Sequence, residues 1–163
     1  MVKVLFVCLG NICRSPMAEA IFQHLIAKKG LDKVVEIDSC GTANYHVGDD
    51  ADPRTISAVR SKGIAIDHCV RQLRADDLDH YDYVFAMDKS NYQNIVRLSN
   101  PGNRSKIHLM RDFDPGHEGM EVPDPYYGNA RHFEEVYDIL YRSLSHFIDD
   151  LMRADGKKLK LTQ

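Results

Sequence analysis

The sequence has no apolar run long enough to span a membrane, and residues 1–7 contain neither a long hydrophobic segment nor a cleavage site. A cytoplasmic location is therefore expected. The net charge of -3 does not indicate binding to nucleic acid or to an anionic membrane surface. The lysines within residues 156–163 predict a solvated, flexible basic tail rather than a binding patch.

Cysteine is also scarce, and four cysteines in 163 residues do not form a disulfide scaffold. Cys8 and Cys13 are close in the sequence, but no second cysteine pair and no histidine pair has the spacing of a zinc site. We therefore expect no metal and no other cofactor. With 44% apolar residues, the chain is long enough for one domain with a sizeable core, predicted over residues 1–155.

Apolar segments typical of strands alternate along the chain with segments typical of helices. Residues 2–8 form a valine-rich apolar run, as expected of a strand that is buried on both faces. Strands are also predicted at 34–39, 83–87 and 107–110, and helices at 15–29, 53–62, 89–98 and 132–152. The alternation predicts a single three-layer α/β domain, in which a parallel sheet lies between helices on both faces.

Two loops of this predicted fold are candidates for the functional site. Ligands of such sheets bind beyond the carboxyl ends of the strands, where the loop of residues 9–14 begins. The second loop, residues 111–128, holds most of the remaining proline and glycine, and loops longer than about 12 residues are usually functional. We therefore expect the site where these two loops meet.

The first loop has the residues of a phosphate-binding loop. It joins a strand that ends at Cys8 to a helix whose predicted cap and first residue are Ser15 and Pro16. Its backbone N–H groups can therefore converge in front of a helix N-terminus, and such a nest binds an anion of the size of phosphate. Gly10 and Asn11 tolerate the left-handed backbone that a tight loop needs.

Three side chains of this loop suit phosphoryl transfer. The Cys8 sulfur can lie at the bottom of the nest, where the N–H groups favour a thiolate over a thiol. The planar guanidinium of Arg14 can hold two phosphate oxygens, and Ser15 can donate a hydrogen bond to the departing sulfur. A buried cysteine followed by a surface arginine also occurs by chance, but the position between a strand and a proline-started helix favours hydrolysis through a phosphocysteine.

The sequence of residues 4–20, VLFVCLGNICRSPMAEA, resembles the signature of the low-molecular-weight protein tyrosine phosphatase family. The resemblance extends over essentially the whole chain up to the basic tail. It implies a four-stranded parallel sheet and a metal-independent phosphatase that also acts on aryl phosphates. Further matching segments are Ile37-Asp38-Ser39, Asp52-Pro53-Arg54, His68 with Arg71-Gln72, Met87-Asp88 with Ser90-Asn91, and Asp124-Pro125-Tyr126-Tyr127-Gly128. The implied phosphate-binding residues of the loop are Leu9, Gly10, Asn11, Ile12, Cys13 and Ser15.

Asp124 is the candidate for the general acid and base. It lies between two prolines, which restrict its backbone and fix the direction of its side chain. An aspartate in such a place is more often a turn residue. The resemblance instead implies that Asp124 gives a proton to the leaving oxygen and then takes one from the attacking water.

The resemblance also implies aromatic walls and a supporting network. Tyr126 and Tyr127, with Tyr45 on the loop after the second strand, would line the mouth of a cleft that favours an aryl group. From the residues alone, Tyr45 could equally be an ordinary exposed tyrosine. Family members more often have tryptophan at this wall, so the substrate preference stays open. The implied network that supports the strained loop consists of Asn11, Ser39 and His68.

Cys13 has two interpretations from its spacing alone. It is either a small buried apolar residue or a thiol close enough to form a disulfide with Cys8. The resemblance favours the second, because the family uses a neighbouring cysteine to protect an oxidised nucleophile. Redox regulation is therefore expected, since a thiolate in an exposed cleft reacts with peroxide.

Two other functions fit part of the sequence. An arsenate reductase shares the fold and the loop, but it needs further cysteines to resolve an arsenic adduct, and residues 76–100 contain none. A non-catalytic phosphopeptide-binding module would need Arg14 but not both Cys8 and Asp124. The expected substrate is a phosphotyrosine-containing protein or a small aryl phosphate. Phosphate-like and vanadate-like anions should inhibit the enzyme. The protein is expected to be a monomer or weak dimer and to bind neither nucleic acid nor membrane.

Overall fold

The structure, a computed structural model, describes residues 1–154, so the predicted basic tail at 156–163 lies outside the described residues. Four parallel strands form one sheet in the order β2-β1-β3-β4, and helices cover both of its faces. The predicted α/β architecture is confirmed. The strands are β1 (Val2–Cys8), β2 (Val35–Gly41), β3 (Tyr83–Ala86) and β4 (Ile107–Leu109). The helices are α1 (Arg14–Lys28), α2 (Pro53–Arg60), α3 (Asp77–His80), α4 (Lys89–Leu98) and α5 (Ala130–Ala154).

The central strand β1 is buried on both faces, as its apolar run predicts. Val4 and Phe6 point to one face, where they join the apolar side chains of α1, α2 and α5. Leu5 and Val7 point to the other face and pack with side chains of α3 and α4. Aromatic ring contacts link four phenylalanines of the first face, Phe6, Phe22, Phe85 and Phe147.

The start of the first helix differs from the prediction. Helix α1 begins at Arg14, with Cys13 at the cap position and no side chain in the capping role. The predicted cap at Ser15 and first residue at Pro16 are therefore wrong. The Ser15 hydroxyl is instead used by Cys8 and Asn11, both within hydrogen-bond distance.

Several other elements differ from their predicted bounds by one or two residues, among them α2, β3, β4 and α5. Helix α3, Asp77–His80, is four residues long and was not predicted, because one turn is too short to show a helical period. Strand β2 continues to Gly41, two residues beyond its predicted end, because it pairs with β1 as far as Cys8. No helix within residues 1–154 is long and apolar enough to cross a membrane.

The carboxyl ends of three strands meet at one edge of the sheet. Cys8 at the end of β1 is paired with Gly41 at the end of β2, and Val7 is paired with Ala86 at the end of β3. The backbone N–H of Val122 donates to the Met87 carbonyl at 2.8 Å, so the long loop before α5 reaches the same edge. The two loops expected at the site therefore meet there.

Candidate active site

The loop between β1 and α1 directs its carbonyl groups outward. Its carbonyls accept hydrogen bonds from the segments that follow β2 and from helix α2, in the pairs Thr42 N to Cys8 O, Ala43 N to Leu9 O, Asp52 N to Ile12 O and Thr55 Oγ1 to Cys13 O. Because the C=O and N–H of a peptide point in opposite directions, the N–H groups turn to the concave side of the loop. The Asn11 N–H donates to the Cys8 sulfur at 3.3 Å.

Asn11 holds the loop in a left-handed turn. Its φ is 58°, the only positive φ of a non-glycine residue within 1–154, and its side chain is fully buried. The side-chain amide donates to Ser15 Oγ at 2.8 Å and to Ser39 Oγ at 3.0 Å. His68 Nε2 donates to the Asn11 carbonyl at 2.8 Å, and the Arg71 N–H donates to its Oδ1 at 3.2 Å. Together these hydrogen bonds hold Asn11 in a left-handed backbone conformation that is energetically unfavourable for a non-glycine residue.

Gly41 allows the end of β2 to lie against this loop. A Cβ at this position would lie 2.7 Å from the Leu9 carbonyl oxygen, a distance that backbone atoms do not tolerate. A side chain here would therefore push the loop between β1 and α1 away from the sheet.

The Cys8 sulfur lies at the floor of the loop, near two hydrogen-bonding groups. Ser15 Oγ is 3.0 Å away and the Asn11 N–H 3.3 Å away. When the sulfur is a thiolate, the Ser15 hydroxyl is necessarily the donor, because a thiolate has no proton. The residue is 3% exposed, so it is reached only through the concave side of the loop.

Arg14 is buried and held by the residue that caps α4 and by the long loop before α5. Its Nη1 donates to Asp88 Oδ2 at 2.8 Å and to the Val122 carbonyl at 2.9 Å. Asp88 was given no role from the sequence, although it follows a strand at the carboxyl edge, where functional residues gather. Its other oxygen accepts from the Asn91 N–H at 2.7 Å and so caps α4. One carboxylate thus connects a helix to the arginine.

Asp124 lies at the mouth of the site. Its Oδ2 is 3.7 Å from Arg14 Nη2, and its Oδ1 accepts from the Tyr126 N–H at 3.1 Å. The side chain is 45% exposed, whereas Arg14 is 3% exposed. The carboxyl group therefore stands above the guanidinium, between the loop and solvent.

A cleft of about 320 Å³ opens above the Cys8 sulfur. Tyr45, Tyr126 and Tyr127 line it, and the rings of the last two meet edge to face with centroids 4.9 Å apart. Asn11 and Ser15 do not line the cleft, because they lie behind the loop with no exposed surface. The residues that line the cleft are Cys8, Leu9, Gly10, Ile12, Cys13, Arg14, Tyr45, His46, Asp124, Tyr126 and Tyr127. Of these, His46 was not predicted from the sequence.

A sequence model of the low molecular weight phosphotyrosine protein phosphatases matches residues 3–158. The chain belongs to this family. A member from Schizosaccharomyces pombe is 43% identical over 151 residues, which are 92% of this chain and 97% of that protein. A crystal structure of a protein tyrosine phosphatase from Entamoeba histolytica, with Hepes in its active site, is similar with a TM-score of 0.91 and 39% identity, over 95% of this chain and 99% of that one.

The family predicted from residues 4–20 is thereby confirmed, and an arsenate reductase is not favoured. The fold is shared more widely than one substrate class. The crystal structure of a Drosophila arginine phosphatase is similar to this chain with a TM-score of 0.86 and 33% identity, over 91% of this chain and 97% of that one.

The phosphatase has an acidic group beneath its loop that sequence reasoning missed. Glu19 is buried, and this burial, with a smaller contribution from Asp38, raises the pKa of its carboxyl group to about 8. Its Oε2 is 4.0 Å from Nδ1 of His68, and burial lowers the pKa of His68. Both pKa shifts favour the uncharged forms of Glu19 and His68, which are the forms that burial tolerates best.

Cys13 lies in the wall of the phosphatase cleft. Its sulfur is 3.9 Å from Asp52 Oδ2, and burial, reinforced by the negative charge of Asp52, raises the pKa of the Cys13 thiol far above its ordinary value. Cys13 is therefore a thiol at neutral pH, and Cys8 stays the candidate nucleophile towards phosphorus. Within residues 1–154, no group of three or more His, Cys, Asp or Glu side chains is arranged to hold a metal ion.

Proposed function

We propose that this chain is a phosphotyrosine phosphatase that works through a phosphocysteine on Cys8, with Asp124 as general acid and base. The observation that carries the proposal is the position of the Cys8 sulfur. It lies at the floor of an anion-sized loop, below Arg14 and facing a cleft whose mouth holds a carboxyl group. This arrangement supplies a nucleophile, a clamp for the phosphoryl oxygens and a proton donor in one place.

In the first step the Cys8 thiolate attacks phosphorus, and a sulfur–phosphorus bond replaces the bond to the phenolic oxygen. Nη1 of Arg14 is already used by Asp88 and the Val122 carbonyl, so the Nε and Nη2 edge is available to two phosphoryl oxygens. Asp124 gives its proton to the departing phenolic oxygen, which leaves as tyrosine.

In the second step water hydrolyses the phosphocysteine. The Asp124 carboxylate takes a proton from the water, whose oxygen attacks phosphorus while the sulfur–phosphorus bond breaks. The sulfur leaves as a thiolate, which the Ser15 hydroxyl and the Asn11 N–H stabilise. Inorganic phosphate then departs.

The walls of the cleft favour an aryl phosphate. The exposed rings of Tyr45 and Tyr126 stand beside an opening that leads down to the loop, so a flat ring can lie between them while its phosphate reaches the sulfur. We propose a phosphotyrosine-containing protein or a small aryl phosphate as substrate and phosphate or vanadate as inhibitors. A monomer or weak dimer and a cytoplasmic location stay predictions.

The proposed function predicts hydrolysis of p-nitrophenyl phosphate and phosphotyrosine peptides in the presence of excess chelator. Activity should be equal with and without chelator, because the cleft residues supply the whole reaction. The same preparation is tested for thiol-dependent arsenate reduction and for hydrolysis of a phosphoarginine peptide. Failure to hydrolyse either aryl phosphate would refute the proposal, and a higher kcat/KM for phosphoarginine would change the substrate class.

A separate prediction concerns peroxide. Oxidation of the Cys8 thiolate gives a sulfenic acid, which the Cys13 thiol can attack to form a Cys8–Cys13 disulfide with loss of water. Peroxide should therefore inactivate the enzyme, and dithiothreitol should restore it. In Cys13→Ser, inactivation should still occur but become largely irreversible, because the sulfenic acid is oxidised further.

Recovery of activity after peroxide and then dithiothreitol is measured for wild type, Cys13→Ser and Cys69→Ser. Cys69 is exposed and lies outside the cleft, so its variant should recover like wild type and serves as the control. Peptide mapping identifies the oxidised form. Full recovery of Cys13→Ser, with no Cys8–Cys13 peptide in the wild type, would exclude the protective role.

A further inference from the structure

A second groove adjoins the catalytic cleft on the side of the loop after β2. Its volume is about 620 Å³, and it lies between this loop and helix α4. Leu9 and Tyr45 belong to the walls of both the groove and the cleft. A chain that leaves the cleft past these two side chains therefore passes directly into the groove.

The groove has the mixed surface of a peptide-binding site. Leu9, Tyr45 and Leu98 are among the exposed large apolar side chains of the structure, and all three line it. Side-chain amides lie among them, contributed by Asn44, Gln72 and Asn94. The apolar side chains of such a groove can cover aliphatic side chains of a bound peptide. The amide groups between them can form hydrogen bonds with the backbone of an extended peptide.

Among residues 1–154, Arg97 is the only charged residue that lines the groove. It lies in the last turn of α4, and its Nη1 donates to Asn94 Oδ1 at 2.9 Å. No ion pair joins it to a carboxylate among residues 1–154, although the chain has a net charge of -3. A cation beside neutral amides, without an acidic neighbour in the groove, is complementary to a carboxylate from outside.

We propose that this groove, lined by Leu9, Tyr45, Asn94 and Arg97, binds the peptide that flanks the phosphotyrosine, and that Arg97 selects an acidic side chain in it. The inference rests on the proposed function and deepens it by assigning a substrate class: phosphotyrosyl proteins with an aspartate or glutamate near the phosphotyrosine. A small aryl phosphate does not reach the groove, so its hydrolysis is independent of Arg97.

The test uses short peptides with one phosphotyrosine and neutral flanking residues. A single glutamate is placed in turn at each of the three positions on either side, and each peptide is compared with its glutamine counterpart. At one or two neighbouring positions, glutamate should raise kcat/KM by about two- to five-fold, the range of an exposed ion pair, mainly through KM. The preference should shrink as salt rises from about 0.05 M to about 0.5 M.

Three variants decide whether Arg97 is responsible. Arg97→Gln should abolish the preference, and Arg97→Glu should reverse it in favour of lysine at the same position. Arg60→Gln is the matched control, because Arg60 also lies in the last turn of an exposed helix but lines neither the cleft nor the groove. Its preference should equal that of the wild type.

Hydrolysis of p-nitrophenyl phosphate separates this inference from the proposed function. All three variants should hydrolyse it as fast as the wild type. A wild type without any preference, or an Arg97→Gln variant that keeps it, would overturn the peptide-binding proposal while leaving the phosphatase proposal in place. A wild type that is inactive on p-nitrophenyl phosphate would overturn the proposed function instead.

Discussion

Replacement of Cys8 by serine should reduce turnover by several orders of magnitude while phosphate and vanadate still bind. A serine hydroxyl stays protonated at neutral pH and is a poor nucleophile towards phosphorus. The N–H groups of the loop and the guanidinium of Arg14 are unchanged by the substitution, so the anion site remains. Measurements of kcat with p-nitrophenyl phosphate and of vanadate binding by calorimetry check the two parts separately.

The matched control for this prediction is Cys69→Ser, which changes an exposed cysteine outside the cleft and should keep full activity. Trapping of a phosphorylated protein after rapid acid quench gives a direct test in the wild type. The trapped phosphoryl group should map to the peptide that contains Cys8 and should be absent from Cys8→Ser. Substantial turnover by Cys8→Ser would eliminate the phosphocysteine mechanism.

The second large effect is expected for Asp124→Asn. General acid catalysis is typically worth about 100- to 10,000-fold, and an asparagine cannot donate a proton to the leaving oxygen. The loss should be greatest for leaving groups of high pKa, such as tyrosine, and should shrink for activated phenols that depart without protonation. The test measures rates for a series of substituted aryl phosphates. The plot of the logarithm of the rate against leaving-group pKa should have a steeper slope in the variant than in the wild type.

Asp49→Asn is a suitable control for this series. Asp49 is 62% exposed and lies 3.5 Å from His46, which lines the cleft, so its replacement removes a nearby negative charge without removing the proposed acid. The slope against leaving-group pKa should stay that of the wild type. An equal loss for all leaving groups in Asp124→Asn would show that Asp124 does not protonate the leaving group.

The positions of most elements were predictable because their signals are local. The valine-rich run before Cys8 and the glycine-containing loop after it specify a strand, a turn and a helix within about 30 residues. Helix α4 was predicted with its observed bounds, Lys89–Leu98. The cap predicted at Ser15 is wrong, because its hydroxyl lies within hydrogen-bond distance of the Cys8 sulfur, as the phosphoryl-transfer interpretation expects, and of the Asn11 amide.

The supporting contacts of the site span long distances in the sequence. The partners Arg14 and Val122 are 108 residues apart, and Asn11 and His68 are 57 apart. Asp88 was missed for this reason, since nothing near it in the sequence indicates an arginine. Which side chains meet depends on the order and register of the parallel strands, and single-sequence patterns contain no direct signal for either.

Local patterns in the sequence predict Cys8 as the candidate nucleophile, Arg14 as the candidate phosphate clamp and the alternation of strands and helices in a parallel sheet, because strand, loop and helix preferences act between neighbouring residues. The contact of Asp88 with Arg14, the burial of Glu19 beneath the loop and the groove lined by Tyr45 and Arg97 are visible only in the folded chain. These features arise where separate segments pack against each other. Their geometry depends on how the segments pack around the shared apolar core. Every segment contributes side chains to this core, and no single segment specifies it.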